Sequence, residues 1–406
     1  MGLSITPDFD YWPVKYAIEE AVDIDRHVQI TWSNGQTCEY HKFLLRENSP
    51  DETSLHPLSR ETLLSPSDIP DDLSILKLKV SKGGNLDISW SDGITSSYHT
   101  GWLYAHGWFG EKRTAPYTKL WSTENLENPP TFDGPTALKQ KKVFLDWLIA
   151  LRDYGFARLE NLENEDGLLE RIVTQIGVIR ESNFGRKYVL ELKDVPDSNA
   201  FTSDALLQHT DMPTRINPHG LQFLFCRDNT TRGGEGIYTD AFKIAADLKI
   251  EEPDVYHALT SINWEFNNRA VESSYRATGP IFETEKDGSI VGVRYTPWLR
   301  APLVAPINIQ ERAYSSVRTL VSYTQNPKYQ MEVKYKSGDL FAFDNRRVLH
   351  GRKGYDAKGG TRFIEGVYSD HDELFSCIRV LKRQLAFEAE DNKINDLGDG
   401  NDFISN

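Results

Sequence analysis

The chain is poor in cysteine and in positive charge, and it has no apolar run long enough to cross a bilayer. Its three cysteines, Cys38, Cys226 and Cys377, are too few and too dispersed for a disulfide framework, so we expect reduced thiols. Acidic residues outnumber basic ones by 60 to 46, whereas nucleic acid or an anionic membrane would call for a basic face. We therefore expect neither as a partner. The first residues lack a basic region ahead of an apolar stretch, which makes the cytoplasm the expected location.

Length and composition favour a folded protein of two domains. The 406 residues are 39% hydrophobic and 11% aromatic, enough for a large core, and the chain is long for one core alone. Residues 111–138 are rich in proline and form a predicted linker. Before it we predict a small β-rich domain over residues 1–110, and after it the main domain over residues 139–388. Residues 389–406 are acidic, and we expect a disordered tail there.

A short internal repeat supports β structure in the first domain. Residues 30–35 (ITWSNG) and 88–93 (ISWSDG) each place a strand ahead of an Asn-Gly or Asp-Gly turn, which is the strongest short signal for a hairpin. In the second domain, the apolar spacing from Leu138 to Tyr154 predicts a helix.

Three residues could together hold a metal ion. His209 and Asp211 are separated by one residue, and alternate residues of an extended strand project to the same side. His350, far along the chain, would complete the set. Two imidazoles and one carboxylate on one face leave the opposite positions of octahedral Fe(II) for a cosubstrate and O2. An isolated His-x-Asp triplet is often accidental, so this assignment depends on support from elsewhere in the chain.

Arg362 provides that support. It follows His350 by twelve residues and opens a segment of alternating polar and apolar residues, which predicts the next core strand. A planar guanidinium on such a strand could bind the far carboxylate of 2-oxoglutarate through two parallel hydrogen bonds. It could instead belong to a structural ion pair. The combination predicts an Fe(II)- and 2-oxoglutarate-dependent oxygenase.

Longer motifs point to a known family. Residues 209–213 (HTDMP), 218–226 (PHGLQFLFC) and 343–355 (FDNRRVLHGRKGY) resemble the gamma-butyrobetaine and trimethyllysine dioxygenases, which belong to the taurine/2-oxoglutarate dioxygenase group. The resemblance extends from about residue 30 to residue 381. It implies a mainly β fold with flanking helices, in which the main domain is a double-stranded β-helix, or jelly roll. It also implies a homodimer.

The resemblance assigns roles to individual residues. His209, Asp211 and His350 would bind iron, and Arg362 would bind the far carboxylate of 2-oxoglutarate beside the backbone at Leu224. The reaction would consume O2, release succinate and CO2, and hydroxylate an unactivated C–H bond of a small-molecule substrate.

One feature of the relatives is missing. Their N-terminal domain carries a zinc site of three Cys and one His, whereas Ser49, Asp51, Ser54 and Ile94 stand at those positions here. Without soft thiolates, a tetrahedral structural zinc has no adequate ligand set, and we expect none.

The substrate pocket is defined less closely. Relatives hold a quaternary ammonium group in an aromatic cage, and the matching residues are Phe184, Tyr188, Phe201 and Tyr368. Such residues could also be ordinary core aromatics. The substrate carboxylate of relatives is held by two Asn; near the first of these positions stand Ser198 and Asn199, and Pro297 stands at about the second. Arg300 or Arg186 could bind a carboxylate or phosphonate instead, or form a surface ion pair.

Three hypotheses remain open from the sequence. The first is hydroxylation of a small trimethylammonium compound. The second is the same chemistry on a non-quaternary substrate, as in natural-product tailoring. The third is a catalytically silent jelly roll that serves as a binding or scaffold protein, against which the intact iron-binding motif and Arg362 argue.

Overall fold

A computed structural model describes residues 6–110, 118–191 and 201–391 of the chain. Contacts between Cα atoms divide the chain into two compact units. The small unit comprises Met1–Pro116 with Lys382–Asn406, and the large unit comprises Tyr117–Leu381. No helix among the described residues is both long and apolar enough to span a membrane.

The described residues of the small unit form two antiparallel sheets of three strands each. Their strands are β1 (Ile18–Ile24), β2 (His27–Trp32) and β3 (Thr37–His41) in one sheet, and β4 (Ile75–Val80), β5 (Leu86–Trp90) and β6 (Thr95–Tyr98) in the other. Two helices follow β3 and β6, namely α1 (Lys42–Glu47) and α2 (Thr100–His106), and Pro66–Asp68 form a 3-10 turn. The Asn-Gly and Asp-Gly turns fall where the repeat predicts hairpins, with Gly35 at φ 79° and Gly93 at φ 88°. Positive φ is the conformation that glycine adopts without steric cost.

The strands of the large unit form two principal sheets and two hairpins. They are β7 (Thr131–Asp133), β8 (Phe156–Glu160), β9 (Tyr188–Leu190), β10 (Leu206–His209), β11 (Leu221–Asn229), β12 (Gly236–Asp240), β13 (Trp264–Asn267), β14 (Arg276–Gly279), β15 (Phe282–Thr284), β16 (Ile290–Val293), β17 (Met331–Val333), β18 (Leu340–Asp344), β19 (Val348–Arg352) and β20 (Arg362–Ser369). One sheet has the order β7-β8-β18-β11-β20-β9 and the other β10-β19-β12-β17. The hairpins are β13-β14 and β15-β16. Almost all of these pairings are antiparallel, and the two sheets form the jelly roll that the sequence predicts.

The remaining helices are α3 (Gly134–Lys139), α4 (Lys141–Tyr154), α5 (Leu168–Ile176), α6 (Ala241–Glu251), α7 (Pro253–Ser261), α8 (Ile307–Gln325) and α9 (His371–Asp391), with a 3-10 turn at Pro327–Tyr329. The helix predicted from Leu138 to Tyr154 corresponds to α4, which begins three residues later than predicted because Leu138 and Lys139 end α3, and which ends where Gly155 adopts φ 68°. Helices α6 to α8 pack with the hairpins β13-β14 and β15-β16 in one apolar cluster.

Strand β11 runs through the middle of the six-stranded sheet, between β18 and β20. Its residues alternate between two faces because successive side chains of a strand point in opposite directions. Phe223 contacts Trp147 of α4, with ring centres 6.5 Å apart, whereas Leu224 belongs to the apolar cluster that contains Tyr188 and Tyr368. One face of β11 is thus covered by helix α4, and the opposite face packs with the tyrosines.

Candidate active site

Sheet pairing brings the three predicted iron ligands together. His209 ends β10 and is paired directly with His350 of β19, so the two imidazole rings lie 4.3 Å apart. Asp211 follows two residues after His209, and its Oδ1 lies 3.3 Å from His209 Nε2 and 3.7 Å from His350 Nε2. Of the residues that the structure describes, these three are the group of His, Cys, Asp or Glu side chains close enough to share one metal ion.

Hydrogen bonds orient His209 and Asp211, the two ligands that lie close together in the sequence. His209 Nδ1 donates to the carbonyl oxygen of Leu207 at 2.8 Å, which directs Nε2 towards Asp211. The backbone N–H of Asp211 donates to Asn345 Oδ1 at 2.7 Å, and Asn345 Nδ2 donates back to the Asp211 carbonyl oxygen at 3.0 Å. The Tyr368 hydroxyl donates to Asp211 Oδ2 at 2.7 Å. Oδ1 is therefore the carboxylate oxygen that faces both histidines.

The protonation states suit a divalent metal. Burial alone would raise the pKa of Asp211, but His350 and His209 beside it hold that pKa well below its usual range. Burial, followed by the charge of His209, lowers the pKa of His350 to about 3. The site therefore offers one carboxylate and two imidazoles, the donor set of non-haem Fe(II) oxygenases. The residues present fit Fe(II).

Arg362 begins β20 and lies beside an aromatic ring. Its guanidinium lies 5.5 Å from the centre of the Tyr355 ring, and its Nε is buried without a hydrogen-bond partner. Arg352 lies 5.0 Å from the same ring. Burial, followed by the charge of Arg362, lowers the pKa of Arg352 to about 10. Two cations beside one ring favour an anionic ligand such as the far carboxylate of 2-oxoglutarate. Leu224 is buried on β11, opposite Gly366.

The aromatic residues proposed for the cage are only partly assembled. Tyr188 and Tyr368 stack with ring centres 5.1 Å apart, and Gln222 Nε2 donates to the Tyr188 hydroxyl at 2.7 Å. Phe201 is buried, whereas the Phe184 side chain is 41% exposed. At this spacing no quaternary ammonium fits between the faces of Tyr188 and Tyr368. These two stacked rings lie beside Asp211, and we call them the aromatic wall.

The residues proposed for the substrate carboxylate are less well placed. Ser198 and Asn199 lie outside the described residues. Arg186 is exposed. The Arg300 guanidinium lies 4.6 Å from the centre of the Trp264 ring, in the region of the helical cluster, and its Nε and one terminal nitrogen are buried without a hydrogen-bond partner.

Sequence reasoning missed four residues near the metal site. Trp298 packs against His209 with ring centres 4.8 Å apart, His219 stacks on Tyr368 at 4.5 Å, and Gln222 and Asn345 form the hydrogen bonds described above. His219, Gln222 and Asn345 all lie within motifs that carry the family resemblance, but no spacing rule gives them a role. Trp298 lies next to Pro297, which drew attention only as a lost hydrogen-bond donor.

A hydrogen-bonded network occupies the position of the relatives' zinc site. Arg46 donates to Ser54 Oγ at 2.7 Å and forms a salt bridge of 2.7 Å with Asp92. Ser49 is hydrogen-bonded to Ser96. Hydroxyl groups and a paired guanidinium do not fit a tetrahedral zinc ion, and the absence of zinc stays a prediction.

Comparison with known proteins identifies both parts of the chain. The model of the family described as "Taurine catabolism dioxygenase TauD, TfdA family" matches residues 113–368. The model described as "Gamma-butyrobetaine hydroxylase-like, N-terminal" matches residues 21–104. These matches confirm the resemblance inferred from the motifs.

Individual relatives agree. Gamma-butyrobetaine dioxygenase of Pseudomonas sp. (strain AK-1) is 34% identical over 93% of this chain and 99% of its own length. Human gamma-butyrobetaine dioxygenase is 26% identical over 90% and 97%, and mitochondrial trimethyllysine dioxygenase of Bos taurus is 27% identical over 74% and 72%. Since a family model covers most of the chain and a relative at 34% identity covers nearly all of it, the chain belongs to the TauD, TfdA family and is an iron- and 2-oxoglutarate-dependent dioxygenase.

Proposed function

We propose that this enzyme hydroxylates an unactivated C–H bond of a small trimethylammonium compound that resembles gamma-butyrobetaine. The observation that carries the proposal is the pair of aromatic residues Tyr188 and Tyr368 beside Asp211, because aromatic side chains at this place can attract a cation that has no hydrogen to donate. The name of the Pseudomonas relative supports it.

The electrostatics of the wall agree with a cationic ligand. Burial, reinforced by the charge of Asp211, raises the pKa of both Tyr188 and Tyr368 above the usual range of tyrosine. Both rings therefore remain neutral phenols at physiological pH. Neutral aromatic rings attract a quaternary ammonium group, whereas they offer no counter-charge to an anion.

In this proposal His209, Asp211 and His350 hold the iron, and Arg362 holds the far carboxylate of 2-oxoglutarate. Bound iron and 2-oxoglutarate supply, with O2, the oxidising power for the hydroxylation and release succinate and CO2. The protein's own task is to place one C–H bond of the substrate next to the metal and to exclude other bonds. The aromatic wall would do this by holding the ammonium end. No side chain is needed as a general acid or base for that step.

A second candidate is the same reaction on a non-quaternary substrate. The exposure of Phe184 favours it, because an open side weakens a cage, and so does Pro297, which cannot donate a hydrogen bond to a substrate carboxylate. Arg300 would then be one possible partner for an acidic group.

Substrate-dependent succinate formation distinguishes the candidates. Purified enzyme with Fe(II) and 2-oxoglutarate would be given gamma-butyrobetaine, trimethyllysine, a choline-like phosphonate and uncharged analogues. The proposal expects a betaine to stimulate succinate release at least about tenfold over the substrate-free rate, and Asp211→Ala to abolish it. Stimulation by uncharged compounds alone would refute the trimethylammonium assignment.

We also propose that the enzyme is a homodimer in the cytoplasm. Sedimentation at several protein concentrations tests for the dimer.

A further inference from the structure

Tyr368 joins the aromatic wall to the metal site. It lies on β20, is 4% exposed, and stands opposite Gln222 of β11 in the sheet register. Its ring stacks on Tyr188 and on His219, with interplanar angles of 28° and 19°. A ring packed against two others on a central strand has little freedom to rotate.

The Tyr368 hydroxyl meets one particular atom of the metal site. It lies 2.7 Å from Asp211 Oδ2, whereas Asp211 Oδ1 faces His209 and His350. An ionised carboxylate can only accept hydrogen bonds, so the tyrosine is the donor. The two oxygens of Asp211 therefore have different environments: one is held by a protein donor, and the other is directed to the position that a metal would take.

We propose that Tyr368 is a positioning residue for the metal ligand Asp211, and that its hydroxyl keeps Oδ2 away from the metal. Carboxylates bind metals through one oxygen or through both. A second bound oxygen would occupy a position that 2-oxoglutarate or O2 needs. The hydrogen bond from Tyr368 makes one-oxygen binding the favoured state, as second-shell partners of metal ligands commonly do.

The ring and the hydroxyl group of Tyr368 have different proposed roles. Its ring belongs to the proposed substrate wall, and its hydroxyl belongs to the metal site. Tyr368→Phe keeps the ring and the stacking but removes the hydroxyl. The metal-binding consequence does not depend on which substrate the enzyme uses.

The large unit contains a matched control. The Tyr329 hydroxyl also donates to a carboxylate oxygen, Asp247 Oδ2, at the same distance of 2.7 Å, and Tyr329 is likewise buried. Tyr329→Phe therefore removes the same kind of hydrogen bond from a buried tyrosine. This tyrosine belongs to the apolar cluster around helices α6 to α8 and not to the metal site. Both variants should lose similar unfolding free energy, so a difference in 2-oxoglutarate binding at the metal reports on the position of the tyrosine and not on stability.

The test measures how the iron-loaded enzyme binds 2-oxoglutarate, without oxygen and without turnover. Full-length wild type, Tyr368→Phe and Tyr329→Phe would be loaded with Fe(II) and titrated with 2-oxoglutarate, and the charge-transfer absorption band of the complex would be recorded for each. We expect Tyr368→Phe to bind 2-oxoglutarate at least about tenfold more weakly and to shift the band, because the freed Oδ2 competes for a position on the metal, and Tyr329→Phe to stay within about twofold with an unshifted band. Wild-type affinity for 2-oxoglutarate and an unshifted band in Tyr368→Phe would overturn the inference, as would equal losses in both variants. Failure of every betaine to support turnover would refute the proposed function and leave this result unaffected.

Discussion

The Arg362 guanidinium stands 5.5 Å from the centre of the Tyr355 ring, and no carboxylate among the described residues forms an ion pair with it. The sequence left open that Arg362 belongs to a structural ion pair. The described residues contain no such pair. A cation whose Nε is buried without a hydrogen-bond partner is stabilised when a ligand supplies the opposite charge. This position favours the anionic cosubstrate.

Arg362→Met should raise the 2-oxoglutarate concentration for half-maximal succinate formation at least about tenfold, since it removes a charge-assisted pair of hydrogen bonds. Arg362→Lys keeps the charge but not the planar fork, so its effect should lie between wild type and Arg362→Met. Arg318→Met, on the exposed face of α8, is the control and should change nothing. An unaltered half-saturation in Arg362→Met would place the cosubstrate carboxylate elsewhere.

The aromatic wall predicts discrimination between a cation and its neutral isostere. Replacing the nitrogen of gamma-butyrobetaine by carbon gives 5,5-dimethylhexanoate, which keeps the shape and loses the positive charge. It should bind worse by at least about 1 kcal/mol, roughly fivefold. Tyr188→Leu should erase most of that difference, because it removes a π face and keeps apolar bulk. The measurement is half-saturation of both compounds in the succinate assay. Equal binding of both by the wild type would reject the cation site.

The network at Arg46 predicts a small unit that is stable without zinc. Purified protein should contain less than about a tenth of an equivalent of tightly bound zinc, since the thiolate ligands are replaced by hydroxyls. Arg46→Met should lower the unfolding free energy by about 3 kcal/mol, because it leaves Asp92, whose side chain is 15% exposed, without its counter-charge. Lys79→Met removes the exposed ion pair with Asp87 in the same unit and should cost less than about 1 kcal/mol. Stoichiometric zinc that survives removal of iron would contradict this prediction.

His219 predicts a specific pH dependence of stability. Both of its ring nitrogens are buried without a hydrogen-bond partner, and burial, followed by the charge of Arg180, lowers its pKa from 6.5 to about 4. The unfolded chain therefore binds this proton more readily than the folded one. The contribution of neutral His219 to the unfolding free energy is fully present above about pH 6.5 and is lost as the pH falls towards 4. His219→Phe keeps the stacking on Tyr368 and removes this titration. It should be about 1 kcal/mol more stable at pH 7 and lose less stability on acidification.

Urea unfolding of metal-free wild type and His219→Phe at pH 7, 5 and 4 tests that prediction. His350 titrates in the same direction, but it is present in both proteins, and the difference between them isolates His219. Parallel pH profiles of the two proteins would show that His219 is not the group responsible.

The parts of the site that the sequence anticipated depend on local geometry. His209 ends β10 and Asp211 follows it by two residues, so the short spacing keeps both side chains close to one point of the chain. The Asn-Gly and Asp-Gly turns likewise formed hairpins because glycine at positive φ is a local requirement. The motifs around His350 identified the family, and with it the jelly roll, before any contact was known.

Other parts could not be derived in this way, because they depend on the register between strands far apart in the chain. The pairing of His209 with His350, and the hydrogen bond from Tyr368 to Asp211 across 157 residues, exist only when the two sheets are assembled. Tertiary packing also left Phe184 exposed and placed the Arg300 guanidinium over Trp264, although the sequence offered both as pocket residues.

The amino-acid sequence by itself determined the kind of chemistry, because two histidines, an aspartate and an arginine carry their metal and carboxylate preferences wherever they stand. Only the tertiary structure decided which carboxylate oxygen faces the metal and which rings line the site. A shift of one residue in strand register would turn each of those side chains to the opposite face of its sheet.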